Sequence, residues 1–319
     1  MPGRQLSGIA VAGTVLSDKL NRIRKYPSAG ELSKIYAEEK SVGGLVPNVA
    51  IDLKRIDFSL NVYAIGRTGN DDDGAFIREK LENEGVLTEF LSKNDGITSH
   101  TFVMSDDDGK RTFFTYGGEN DEFGYADIPF ENLNVKMLHL GYFALLPKTD
   151  GGDGVKILKE AKRRGIKTSI DLVSDSEKGY SGVKDCLKYV DNLIINETEA
   201  AGLTGLDEND FKGLCYALKN LGVCERVIVH SAKKAAFLGN NSYFEQNSLT
   251  LPKGYLKGST GAGDAFTAGA IYAVFKNFKN EDVLDFAIRA AAVSLSELSA
   301  TDGMKSADEI YRATEKFKG

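Results

Sequence analysis

Short, evenly apolar runs recur along the chain at residues 8–12 (GIAVA), 62–66 (VYAIG), 137–140, 167–172 (KTSIDL), 192–195 and 226–229. They show little alternation of polar and apolar positions, which is the pattern of strands covered on both faces in a parallel sheet. Between them lie amphipathic stretches of helical period, among them 155–164, 208–221 and 281–298. Strand and helix patterns alternating in this way predict an α/β fold with a doubly wound, mostly parallel sheet.

Two segments break the rhythm. Residues 15–42 have no helical period and alternate polar with apolar positions around 32–37. Residues 101–116 place two β-prone arms, TFVMS and RTFFTY, on either side of Asp106-Asp107-Asp108-Gly109-Lys110, the composition of a hairpin. A small, mostly antiparallel sheet is therefore expected from insertions at about 15–42 and 98–118, standing off a single α/β domain that spans 1–319. Such a sheet has one face free to act as a lid over a ligand, and its exposed edges suit pairing into a homodimer. The acidic runs 71–73 and 106–108 read as solvated turns, since neither has the alternate-residue ligand spacing of a calcium loop.

Composition removes several classes. With 42% hydrophobic and 27% charged residues, 34 Gly and only 6 Pro, disordered, collagen-like and disulfide-scaffold chains are excluded. The 46 acidic against 40 basic residues leave a net charge of -6, so nucleic acid is not an expected partner. Cys186, Cys215 and Cys224 are widely spaced and form no C-x-x-C pair, and His100, His139 and His230 show no zinc spacing. No secretory leader is read at the N-terminus, and no apolar run nears the ~20 residues of a membrane helix. The expectation is a cytoplasmic chain with reduced thiols and no membrane partner.

The most informative stretch is Gly258-Ser259-Thr260-Gly261-Ala262-Gly263-Asp264-Ala265-Phe266, which runs into a segment apolar nearly all round. A glycine-rich turn feeding a buried helix exposes unpaired N–H groups at the positive end of the helix dipole, and so makes an anion site. A P-loop is excluded because Asp264 stands where its lysine belongs. A dinucleotide fingerprint is excluded because Phe266 takes the third glycine position. A carboxylate beside an anion hole suits phosphoryl transfer instead: the amides stabilise the moving phosphoryl group while the carboxylate accepts the proton of an attacking alcohol. The competing reading is an Asp that merely favours the first turn of a helix.

Residues 261–266 (GAGDAF) resemble the C-terminal signature of the ribokinase-like (PfkB) family of carbohydrate kinases, and further matches follow in order along nearly the whole chain. Residues 13–18 resemble the strand-end segment whose Asp binds sugar hydroxyls, and 43–50 (GGLVPNVA) the Gly-Gly…Asn segment that contacts the sugar. Residues 65–74 are similar to the family's glycine-bearing turn before a helix, 117–120 to the segment closing the lid hairpin, and Asn196-Glu197-Thr198-Glu199 to its N-x-x-E motif. The resemblance implies a kinase that moves the γ-phosphoryl group of ATP to a hydroxymethyl group of a sugar. Asp264 would be the base, and Gly261, Ala262 and Gly263 the anion hole. Asp18, Gly44 and Asn48 would bind the sugar. Asn196, Glu199, His230 and Ala232 would lie on the nucleotide side, with Glu199 organising Mg2+ through water. An ordinary Asp pKa near ~3.9 would serve for the base. Read on their own, Asp18 and Asn48 are more often turn or cap residues, and Asn196 with Glu199 makes a capping box, which is compatible with a magnesium role.

Departures from the family pattern are informative. Ala232 and Ala235 replace a Gly-x-x-Gly pair beside the nucleotide, and Gly258 replaces an Asp that helps hold a monovalent cation. Leu45 and Gly141 stand where ribokinase proper has Lys and Glu, which argues against a standard ribose pocket. A nucleoside kinase of the same family and a non-catalytic sugar-binding regulator remain the alternatives.

Overall fold

The computed structural model describes residues 6–173, 180–239 and 242–317. The chain runs β1 (Ile9–Gly13), β2 (Leu16–Ile23), β3 (Ile35–Gly43), α1 (Leu45–Ile56), β4 (Val62–Gly69), α2 (Asp72–Asn83) and β5 (Leu91–Asn94). It continues through β6 (His100–Ser105), β7 (Arg111–Tyr116), β8 (Met137–Phe143), α3 (Gly154–Arg163), β9 (Lys167–Leu172), α4 (Ser181–Lys184) and β10 (Asn192–Asn196). The last part holds α5 (Glu197–Thr204), α6 (Phe211–Asn220), β11 (Arg226–His230), β12 (Lys234–Gly239), β13 (Ser242–Asn247), α7 (Ala262–Phe275), α8 (Asn280–Ser294) and α9 (Ala307–Thr314).

Nine strands form the main sheet in the order β13-β12-β11-β10-β9-β8-β1-β4-β5. The sheet is parallel from β11 through β5, as the apolar runs predict. The strand β1 is buried along its length, with Ile9 and Val11 in one core layer and Ala10 and Ala12 in the other, because side chains alternate between the faces. The first layer holds α1, α7 and α8; the second holds α3 and α6. Three strands lie outside the expected runs. The connection from β11 to β12 is a tight turn in which Ser231 N donates to Lys234 O (2.8 Å), too short for a crossover, so β12 and then β13 return antiparallel. The strand β5 is a short edge with only Leu91 buried.

The second sheet has the order β3-β2-β6-β7, with β2 and β6 parallel and the two outer pairs antiparallel. Gly109, at φ 80, closes the β6–β7 hairpin, and Asp106 Oδ1 accepts from the N–H groups of Asp108 and Lys110. The run 71–73 is more than a solvated turn. Asp71 caps α2 through Gly74 N (2.8 Å) and also accepts from Thr98 N (2.8 Å). Asp73 pairs with Lys19 (3.1 Å) and Lys40 (2.5 Å), tying the small sheet to α2. The sequence pattern could not show these partners because they lie on other elements.

The apolar segment after the glycine turn is α7, buried against α1 and α8. At Gly269 an added Cβ would stand 2.8 Å from Ala290 Cβ and 3.0 Å from Ala287 Cα, so the two helix backbones approach as closely as a missing side chain permits. Gly269→Val is expected to destabilise the fold by ~1–3 kcal/mol, overcoming any gain in helix propensity. Urea denaturation measures this, and an unchanged midpoint would contradict the packing argument.

Candidate active site

The site is assembled where the C-terminal ends of β1, β8, β10 and β11 meet the small sheet, the edge at which doubly wound folds bind ligands. After β1 the chain turns at Thr14, whose carbonyl accepts from Val46 N (3.0 Å) and whose hydroxyl accepts from Leu45 N (3.0 Å). Thr14 thereby caps α1 from outside, since Gly44 at the N-cap has no side chain to do so. Gly44 has φ 85, and a Cβ there would lie 2.7 Å from Thr14 O, so both backbone conformation and space require glycine. This start places Asn48 one turn into α1, buried, with Nδ2 donating to Asp264 Oδ2 at 2.8 Å.

Asp18 on β2 approaches the start of α1. Its carboxylate lies over Gly43, where an added Cβ would meet Oδ2 at 2.3 Å. Burial pushes Asp18 up to about 6, and it has no hydrogen-bond partner among the described residues, so it is open to a ligand's hydroxyl donors. Leu45 is fully buried against Gly141 and presents no charge to the cleft.

The glycine turn enters α7 at Gly261, in the left-handed conformation (φ 78), with a hypothetical Cβ 2.6 Å from both Cβ and O of Ala300. Ala265 N closes the first helical bond to Gly261 O (2.8 Å), and Ala262 N makes a longer bond to Ser259 O (3.3 Å). Asp264 lies in this first turn, buried, accepting from Asn48 and from Tyr142 Oη (3.0 Å to Oδ1, 3.2 Å to Oδ2). Tyr142 is a non-glycine residue at φ 59, an uncommon conformation that turns its ring into the cleft, and its N–H is held by Asp171 Oδ1 (2.9 Å).

Asp264 does not keep an ordinary carboxylate pKa. Burial and the negative charges of Asp171 and Glu199 push it up to about 7, against the opposing hydrogen bonds from Asn48 and Tyr142. An ordinary value near ~3.9, which would also serve a base, is not kept because the group is out of water.

On the other side, Asn196 and Glu199 form a reciprocal capping box on α5: Asn196 Oδ1 accepts from Glu199 N (2.8 Å), and Glu199 Oε2 accepts from Asn196 N (3.0 Å). His230, at the end of β11, lies against Phe266 (4.5 Å between ring centres), and burial lowers its pKa to about 4, so the ring is neutral. An apolar cavity of about 520 Å³ opens here, lined by His230, Ala232, Leu249, Phe266, Ile288 and Leu295. Neither Ala232 nor Ala235 takes a positive φ, so the loss of two glycines at this turn costs no backbone strain. A second cavity of about 280 Å³ joins it to Asp264 and is lined by Tyr142, Asp171, Glu199, His230 and Gly263. Among the described residues no three acidic, His or Cys side chains are grouped to hold a metal directly.

Of the eleven residues singled out in the sequence, eight line the two cavities, Asn48 joins them through Asp264, and Asp18 and Gly44 stand at the start of α1 against Gly43 and Thr14. Sequence reasoning missed Tyr142, Asp171 and Arg111. Asp171 left a signal, as the one acid in the apolar run 167–172. Arg111 Nη1 donates to Thr260 Oγ1 (2.9 Å), joining β7 to the glycine turn, and nothing local announced that contact. His100 is part of an aromatic cluster in the small sheet, with Phe102 and Tyr116 each at 5.3 Å.

Fold and site together define an α/β phosphotransferase with a small sheet beside its ligand cleft. Residues 9–307 match the pfkB family of carbohydrate kinases, and the chain belongs to that family. It is 25% identical over 310 residues to a ribokinase of Arabidopsis thaliana, covering 95% of this chain and 80% of the relative. To a fructokinase of Vibrio alginolyticus it is 26% identical over 289 residues, covering 86% and 91%. The structure of Arabidopsis thaliana ribokinase complexed with ribose and ATP superposes with a TM-score of 0.84 at 25% identity, covering 98% of this chain and 100% of that one. A nucleoside kinase from Methanocaldococcus jannaschii shares the fold at a TM-score of 0.79 and 19% identity, over 98% and 100% of the two chains. The chain is a carbohydrate-kinase-type phosphotransferase of the sugar and nucleoside kinase family.

Asp264 titrates near 3.8 when unfolded and near 7 when folded, so folding takes up a proton. Stability at this group is complete below the lower value and is lost as pH rises through about 7. Asp264→Asn is accordingly expected to melt higher than the parent at pH 8 and equally at pH 3. Melting curves that coincide at both pH values would contradict the burial assignment.

Proposed function

We propose that the protein transfers the γ-phosphoryl group of ATP to a hydroxymethyl group of a sugar, with Asp264 as the base. The observation that carries this reading is a buried carboxylate, hydrogen-bonded by Asn48 and Tyr142, at the mouth of a glycine-turned helix N-terminus. The alcohol oxygen forms a bond to the γ-phosphorus as the bond from that phosphorus to the β–γ bridging oxygen breaks. ADP leaves with the electron pair, and the alcohol proton passes to Asp264. The N–H groups of Gly261, Ala262 and Gly263 stabilise the equatorial oxygens. Asn48 and Tyr142 hold the carboxylate and limit the rise in its pKa.

Asp18, Gly44 and Asn48 bind the sugar, and the larger cavity takes the adenine, with Ala232 and the neutral His230 along its wall. The absence of a three-ligand cluster among the described residues, together with Glu199 facing the second cavity, suits Mg2+, which keeps most of its waters. Glu199 would hold the hydrated ion, whose chemistry is neutralisation of phosphate charge. The small sheet closes as a lid and excludes water, which otherwise diverts ATP to hydrolysis. Its outer strands expose Tyr36, Phe113, Phe114 and Tyr116, through which two copies pair. Free Cys186, Cys215 and Cys224 fit a reducing cytoplasm.

A panel of sugars and nucleosides with coupled ADP detection tests the acceptor class; turnover on nucleosides alone would overturn the sugar reading. Asp264→Asn should reduce turnover ~10²–10⁴-fold with ATP affinity retained. Since the base works deprotonated, kcat/KM should fall as pH drops through about 7. Asn48→Ala should raise the sugar KM more than the ATP KM, and an equal effect on both would remove it from the sugar pocket.

A further inference from the structure

Asp52 is fully buried in α1, and neither of its carboxyl oxygens has a hydrogen-bond partner among the described residues. One helical turn before it, Asn48 uses Nδ2 on Asp264, while its Oδ1 is likewise buried without a partner. Residues four apart on a helix share a face, and α1 packs this region against α7, which carries Asp264. Three orphaned acceptor oxygens on one helix face are costly, and a single proton resolves two of them. An Asn amide can also turn over, exchanging oxygen for nitrogen. Turned over, Asn48 would set an acceptor against the Asp264 carboxylate, so something must hold it.

We propose that Asp52 is a positioning residue: its carboxyl O–H donates to Asn48 Oδ1 and fixes the amide with Nδ2 toward Asp264. The charges around Asp52 agree with this. Burial, Asp264 on α7 and Glu84 after α2 all push its carboxyl well above the usual range, and Arg55 alone opposes them. Arg55 is itself engaged by Glu84, Thr301 O and Asp302, and Lys54 turns away to the carbonyls of Phe58 and Leu60. The neutral acid thus hands one hydrogen bond to the amide, and the amide hands one to the base. The proposal rests on Asp264 being that base.

The test uses the full chain with Asp52→Leu and Asp52→Asn. Leucine removes the donor without leaving a buried charge; asparagine keeps a donor for Asn48 Oδ1. We expect Asp52→Leu to melt no lower than the parent, to move the acid limb of kcat/KM upward by ~1 pH unit, and to cut kcat/KM at pH 7 by ~10-fold. Asp52→Asn should restore both to within ~2-fold. A purely structural Asp52 would leave the pH limb in place, and equal behaviour of the two variants would overturn the proposal. Infrared spectroscopy separates this outcome from failure of the base assignment. In an Asp264→Asn background, where no turnover is needed, a protonated-carboxyl band at neutral pH should vanish on adding Asp52→Asn, and persistence of that band would also overturn it. Full activity in Asp264→Asn, by contrast, would strike only the base.

Discussion

The removal of one carboxylate from water governs the site. Asp264 lies in the first turn of α7, buried, with hydrogen bonds from Asn48 and Tyr142 and negative neighbours in Asp171 and Glu199. Burial and like charge raise its pKa; the two donors and the positive end of the helix lower it again. The result lies near 7, where the carboxyl is about half deprotonated at neutral pH and keeps appreciable proton affinity. Desolvation alone would leave a neutral acid, and stronger pairing would leave a weak base.

Much of the surrounding architecture exists to bring those partners within reach. The donors come from α1 and the end of β8, and the turn that places Asp264 needs Gly261 because Ala300 occupies the space of a side chain. Gly269 lets α7 and α8 close on each other, and Gly44 lets α1 begin against Thr14. Tyr142 stands in a strained conformation that the Asp171 hydrogen bond offsets. Strain, an unpaired Asp18 and a raised pKa all gather at the same sheet edge. That concentration is the expected mark of a site where stability has been yielded to chemistry.

The two halves of the cleft differ in kind. The Asp264 side is polar and crowded with acids. The His230 side is a larger apolar cavity, with the His230 ring held neutral in its wall. An acceptor with many hydroxyls suits the first and a planar aromatic base the second. Where Gly-x-x-Gly is replaced by Ala232 and Ala235, the turn is built without left-handed residues. Where the ribokinase pattern has Lys and Glu, Leu45 packs on Gly141.

Local patterning was enough to determine the parallel sheet, the hairpin of the small sheet and the glycine turn with its carboxylate, because apolar period, turn residues and helix entry are written in neighbouring positions. The N-x-x-E capping box was legible for the same reason, as both partners lie within one turn. The antiparallel return of β12 and β13, the pairing of Asp73 with two lysines and the roles of Tyr142, Asp171 and Arg111 were not legible. The strands β12 and β13 return through short local connections, and their weakly alternating sequences gave no clear strand signal, whereas the side-chain contacts each depend on a partner tens to hundreds of residues away. The same holds for the pKa of Asp264. A sequence names the acid, but the water it loses and the charges it faces are properties of the packed chain.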